Sequence, residues 1–234
     1  MRTFSLPNTH WHPELDYNAF CQCADEYSGN FYDFIPQGDT RLAISFGDLP
    51  SAAEVQSINI PCLQALVRGL TAGSGEHPAE LARELNSTLY LLGPRDLYVP
   101  WFYARIDPVR RQLHYVNAGH EAPLLVRRDG LIERLERTGA ALGFSTRGLH
   151  RQVSVPLEAG DVLAVFSEAV SEDTVLEIVL RHPHATAAEL TRRILEESRD
   201  AAGDRTAAAV RVLGAYRHPL LEDRTVKCLA ACAA

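Results

Sequence analysis

The sequence predicts an α+β protein in which antiparallel sheets carry helices on their outer faces. Two observations predict it. The candidate elements come as two strands, two helices, a run of strands, one helix and one strand, not as a strand–helix alternation. Within the run, strands are joined by short links ("PVR", "HE", "DG", "EAG") that leave no room for a crossover helix.

The elements follow in order. "YNAFCQCADEY" alternates apolar and polar residues and reads as a strand; "TRLAISFGD" is a second, with the hairpin turn at "PQGD". "LPSAAEVQSINIPCLQALVRGLTAG" reads as a long helix, Ser51 to Thr71, with Ser51 a suitable N-cap and Gly73 near its end; Pro61 inside it predicts a kink or a split. "GEHPAELARELNSTLYLL" is a second helix with Pro78 in its first turn. Strands are expected at "LYVPWFYARID", "RQLHYVNAG", "APLLVRR", "DGLIERL", "RQVSVPL" and "DVLAVFS". A third helix is expected at "TAAELTRRILEESRD", with Thr186 or Thr191 as its cap, and a last strand at "AAAVRVLGA". The expected organisation is an N-terminal extension over 1–14, one domain over 15–214 and a C-terminal tail over 215–234.

Composition narrows the function classes. The 234 residues carry a net charge of −7 and 46% hydrophobic residues, as in an ordinary soluble domain. The densest basic group, Arg105, Arg110 and Arg111, merely flanks a turn, so no positive face for nucleic acid is expected. No apolar run approaches the ~20 residues that cross a bilayer, and the N-terminus lacks a signal-peptide core, so a cytoplasmic protein is expected. Five cysteines form no metal-type pair of pairs. Cys21 and Cys23 share one strand face and are expected as reduced thiols.

Five stretches together resemble the PPM-type, metal-dependent protein serine/threonine phosphatases, in particular their SpoIIE-like bacterial branch. "LHYVNAGHEAPLLVRRDG" is similar to the family's strand, Asn-Ala-Gly-His turn and following strand. "SGNFYDF" resembles its Gly-Gly-Asp-Tyr-Tyr-Asp-Phe segment, and "LAISFGDLPSAA" its Gly-Asp-Val-Ser-Gly-Lys-Gly loop. "LEAGDVLAVFSEAVSED" resembles its strand and Thr-Asp-Gly-Val turn, and "GDRTAAAVRV" its closing Asp-Asp-x-Thr strand. The matches occur in the family's order and span roughly residues 15 to 213. The resemblance implies an αββα fold, a β-sandwich between helical layers.

It also implies a site for two Mg²⁺ or Mn²⁺ ions between the sheets, which hard cations would fill through carboxylate oxygens, holding a hydroxide for attack on phosphorus. Carried over residue by residue, Asp48 takes the bridging position and Leu49 offers a backbone carbonyl. Asn30, Glu168 and Gly203 stand where the family has aspartates. An amide brings no charge, the extra methylene of Glu168 moves its oxygens outward, and Gly203 has no side chain. Charge at the four matching positions thus falls from −4 to −2. Asp204 is the next acid along, but strand alternation would turn it to the opposite face unless a bulge rotates it. Asp33 and His120 are expected beside the site.

Each residue has a competing reading. Asp48 suits a strand-end acid capping the next helix, Glu168 a solvated turn acid, Asn30 an ordinary turn residue, Asp33 a hydrogen-bonding support, and His120 part of a tight turn rather than a phosphate-orienting or general-acid group. The resemblance implies a signalling hydrolase acting on a phosphoserine or phosphothreonine protein. Its partner would be a phosphoprotein or regulatory protein of the anti-sigma-antagonist type, and a homodimer is compatible with the sequence. The substituted ligand positions imply weak or absent catalysis, a pseudophosphatase acting by interaction. The alternative is an active enzyme whose metal shell is completed by Asp204, Asp33 or water. A third option is a scaffold that never meets phosphate.

Overall fold

The computed structural model describes residues 2–5, 12–24, 28–49, 60–74, 77–93, 98–146 and 148–214, the first four as backbone only. Ser51, with the start of the predicted first helix, and the tail from 215 lie outside the described residues.

Eleven strands and four helices are described: β1 (Arg2–Ser5), β2 (Leu15–Cys23), β3 (Asn30–Gln37), β4 (Arg41–Asp48), α1 (Ile60–Ser74), α2 (Pro78–Leu92), β5 (Trp101–Asp107), β6 (Gln112–Ala118), β7 (Leu124–Val126), β8 (Ile132–Arg134), β9 (Val153–Pro156), β10 (Val162–Phe166), α3 (Glu172–Arg181), α4 (Ala187–Glu197) and β11 (Arg205–Val212). They form a six-stranded sheet, β1-β2-β11-β10-β7-β8, and a five-stranded sheet, β3-β4-β5-β6-β9. Every strand pair is antiparallel.

Period-two alternation sorts each central strand into two apolar faces. In β4, Leu42, Ile44 and Phe46 enter the core between the sheets, while Ala43 faces α1 and α2. In β10, Leu163 and Val165 face inward, while Val162, Ala164 and Phe166 join Ile178 of α3 and Ile194 of α4 in a third cluster. Both faces are covered, so these strands read as continuous apolar runs. The result is the αββα arrangement that the motifs implied.

Several local expectations change. Residues 2–5, read as part of an extension, form an edge strand on β2. Pro61 is the second described residue of α1, and the kink or split expected between it and Ser51 lies outside the described residues. Residues 172–181, which begin inside the expected turn and continue where no element was expected, form α3, with Glu172 and Asp173 at its positive end and Arg181 at its negative end. Thr186, not Thr191, caps α4: its side chain accepts from the Glu189 N–H, and Glu189 reaches back to the Thr186 N–H. Thr191 instead lies buried in the helix, donating to Asn18 Oδ1. Cys21 and Cys23 do share a face, buried between the sheets with their sulfurs 3.8 Å apart.

One ion pair fixes α1 on the sandwich. Arg68 places Nε 2.6 Å and Nη2 2.5 Å from the two oxygens of Asp33 on β3, and Gln64 donates to the Tyr32 carbonyl one residue away. The Asp33 side chain is only 5% exposed, and both its oxygens accept from that fork. Arg68→Ala is expected to destabilise the protein by about 1–2 kcal/mol in urea titration, with Arg68→Lys recovering only part, because an ammonium cannot reproduce two parallel bonds.

Candidate functional site

Four strand ends meet at one end of the sandwich: the start of β3 and end of β4 from one sheet, the end of β10 and start of β11 from the other. Pairing places Asn30 directly opposite Asp48. The residue after β10, Ser167, donates its N–H to the Thr206 carbonyl of β11 at 3.0 Å. Register and strand termination, together, bring the four motif positions to one seam.

Asn30 is buried, and its amide nitrogen donates to Thr206 Oγ1 at 2.9 Å and to the Asp204 backbone carbonyl at 3.3 Å. A backbone carbonyl only accepts, so the group facing it must be a donor. A carboxylate at position 30 could not make that contact. Ser167 extends the network: its hydroxyl accepts from the Thr206 N–H at 3.0 Å and donates to the Asp204 carbonyl at 3.3 Å. Thr206 and Ser167 are essentially inaccessible. This small polar net joins β3, β10 and β11 where the sheets' edges approach.

The acids surround it. Asp48 is partly buried, and burial pushes its carboxyl up to about 6, with the charges of Glu168 and Asp204 adding to the shift. Glu168 is exposed on the turn after β10. Asp204 lies one residue before β11, outside the strand, and its charge adds to the shift at Asp48. Its oxygens are nevertheless engaged, accepting from the Ala24 N–H at 2.7 Å and the Gly29 N–H at 3.3 Å. Gly203 has φ +90°, a backbone conformation that side-chain-bearing residues rarely adopt. The Leu49 N–H donates to the Gly29 carbonyl at 3.1 Å, and its side chain is buried beneath α1.

Two hard dications need several anionic oxygens converging on one space. Among the described residues, no three His, Cys, Asp or Glu side chains converge closely enough to hold an ion. Asn30 is used as a donor, Asp204 is bonded to backbone, and position 203 offers nothing.

The two neighbours named from the sequence lie apart from this net. Asp33 faces α1 through Arg68. His120 is buried at 2% exposure, edge-on to Phe46 at 5.2 Å. Its Nδ1 is 2.8 Å from the Glu121 carbonyl, an acceptor only, so Nδ1 carries the proton. Burial lowers its pKa to about 4, which keeps the ring neutral. Its N–H donates to Asn117 Oδ1 at 2.9 Å, closing the turn. Such a ring braces a turn. Reading for acids missed Ser167 and Thr206; both stood inside quoted motifs, beside Glu168 and Asp204.

Comparison with known proteins places this architecture. The family model of stage II sporulation protein E (SpoIIE) matches residues 62–213. Phosphoserine phosphatase RsbU of Bacillus subtilis (strain 168) is 26% identical over 159 residues, 68% of this chain and 47% of RsbU, so the chain spans about half that relative's length. The structure of the RsbU and RsbW domains of Rv1364c from Mycobacterium tuberculosis superposes with a TM-score of 0.71 at 21% identity, over 88% of this chain and 62% of that one. The PP2C phosphatase domain of SpoIIE from Bacillus subtilis, solved with a fragment of its regulatory domain, gives 0.68 at 19% identity, over 86% and 64%. With the matching motifs meeting at one seam of an αββα sandwich, this chain belongs to the SpoIIE family and has the PP2C-type phosphatase fold.

Proposed function

We propose that this chain is a signalling domain of the SpoIIE phosphatase family that acts by protein interaction, a pseudophosphatase. The observation that carries the reading is the Asn30 amide: it spends its hydrogens on Thr206 and the Asp204 carbonyl, in a position where a metal site would need anionic oxygen. The positive φ of Gly203 and the outward, exposed Glu168 support it. The partner class is a phosphoprotein or regulatory protein of the anti-sigma-antagonist type, in keeping with the RsbU likeness. The setting is cytoplasmic; among the described residues no helix is long and apolar enough to cross a membrane.

The second reading is an active Mg²⁺- or Mn²⁺-dependent phosphoserine/phosphothreonine phosphatase. Two observations favour it. Asp48, Glu168 and Asp204 lie within electrostatic reach of one another. The catalytic domain of PstP, which shares the fold at TM-score 0.59 and 18% identity, was solved with two manganese ions.

Turnover decides between them. With millimolar Mn²⁺, the expected result is no hydrolysis of p-nitrophenyl phosphate or of a phosphoserine protein above the blank, and no calorimetric Mn²⁺ binding. Turnover that Asp48→Ala abolishes would establish the enzyme instead. A phosphopeptide-binding assay then separates an interaction domain from a scaffold that never meets phosphate.

Two stability measurements probe the seam. Asn30→Asp removes two donated bonds and sets a carboxylate opposite Asp48. It is expected to lower stability by about 2 kcal/mol at pH 7 without metal. An unchanged urea midpoint would show that the amide staples nothing. Asp48 gives the second. Its folded pKa is raised from 3.8 to about 6, so its ionised form is disfavoured in the fold. The resulting cost is present in full above pH 6 and disappears as pH falls through 6 towards 4. Asp48→Asn is therefore expected to stabilise the protein by about 1 kcal/mol at pH 7, after allowance for solvent screening, and to change little at pH 4.5.

A further inference from the structure

The inward face of β2 carries a pair of metal-ligating side chains that the candidate site does not use. Cys21 and Cys23 are two residues apart, so alternation puts both sulfurs on one face, 3.8 Å from each other. Each residue is 3% exposed, and neither is in a disulfide. Two sulfurs bound to one ion at about 2.3 Å stand about 3.8–4.0 Å apart for angles between tetrahedral and trigonal. The pair already has that separation, so an ion fits without moving the strand.

The surroundings select the ion. Both cysteines belong to the apolar core between the sheets, which disfavours hard, strongly hydrated cations. Among the described residues no third His, Cys, Asp or Glu joins the pair. Zn²⁺, which takes four ligands, is poorly served, whereas soft Cu(I) is satisfied by two or three sulfur-rich ones. Ser28 Oγ lies 3.6 Å from Cys21 Sγ and accepts from the Asn30 N–H, which leaves its own proton for the sulfur. Thr206 sits directly opposite Cys21 across β2 and β11; its Oγ1 accepts from the Asn30 amide, and its hydroxyl hydrogen-bonds to the same sulfur. Burial pushes the Cys21 thiol up to about 11, and these two donors work against that by stabilising a thiolate. The pair also has an entry: Cys23 is the last residue of β2, and Ala24 beyond it is exposed.

We propose that Cys21 and Cys23 form a two-thiolate site for Cu(I), with Ser28 and Thr206 donating hydrogen bonds to the Cys21 sulfur. On binding, two S–H bonds break, two Cu–S bonds form, both protons leave to solvent and no electron is transferred. Thr206 carries the consequence into the seam, because the oxygen that serves the Cys21 sulfur also holds the Asn30 amide.

The test uses the full chain carrying Cys62→Ser, Cys228→Ser and Cys232→Ser, so that the pair supplies the only thiols. Anaerobic titration with Cu(I) against a chromophoric Cu(I) chelator is expected to load one ion per chain with release of two protons. X-ray absorption of the loaded protein is expected to count two sulfur neighbours. Cys21→Ser or Cys23→Ser is expected to weaken binding by more than about a hundredfold, beyond the effect of losing an outer partner, with the urea midpoint of the unloaded protein as the folding control. No uptake from the chelator, a single sulfur neighbour, or unchanged affinity with both cysteines replaced overturns the proposal. So does loading by Zn²⁺ in preference to Cu(I). The sulfur count decides the matter even where a serine variant fails to fold.

Discussion

Carboxylates gathered at the ends of neighbouring strands repel one another, and the space between them must supply either positive charge or hydrogen-bond donors. Here donors occupy it. Asn30, Thr206 and Ser167 close a net around the Asp204 carbonyl, while the Asp204 carboxylate takes two backbone N–H groups. Asp48 lies partly buried at the same seam, where burial first, and then the charges of Glu168 and Asp204, raises its pKa. The seam is therefore held by neutral groups, with one carboxyl left under strain.

That arrangement is consistent with a scaffold whose stability resides elsewhere. Three apolar clusters, one between the sheets and one beneath each helical layer, contain nearly all the large buried side chains. Each follows from period-two alternation in strands covered on both faces. The polar net adds few bonds, but they sit where β3, β10 and β11 approach through polar residues. Losing a donor there exposes a buried carbonyl to nothing, a cost comparable to removing a core methyl or two.

The sequence made the architecture legible because alternation and short links are local signals. "LAISFGD" and "DVLAVFS" announce strands by themselves. The failures have physical reasons. Residues 172–181 run on from the turn after β10, and their helix shows in the Val175, Ile178 and Val179 spacing only once the sheet it covers is in place. Asp204 could not be oriented from the sequence, because alternation applies only inside a strand and β11 begins one residue later. The motifs located the acids, but Asn30 as a donor depends on a register and a carbonyl that belong to another strand.

The two ends of β10 show why such a site can change without dissolving its fold. Five residues, about 17 Å of strand, separate Ser167 at the seam from Asp161 at the far end. At one end a buried acid is fully matched, with Arg127 and two backbone N–H groups around Asp161; at the other, Asp48 is matched poorly and Glu168 stands in solvent. Both ends hang on the same inward residues, Leu163 and Val165, which neither arrangement touches. Selection on chemistry acts on strand-end side chains, whereas folding acts on the alternating apolar faces between them. A sandwich of this kind can therefore vary its strand-end side chains and remain the same sandwich, provided that each buried carbonyl there still meets a donor.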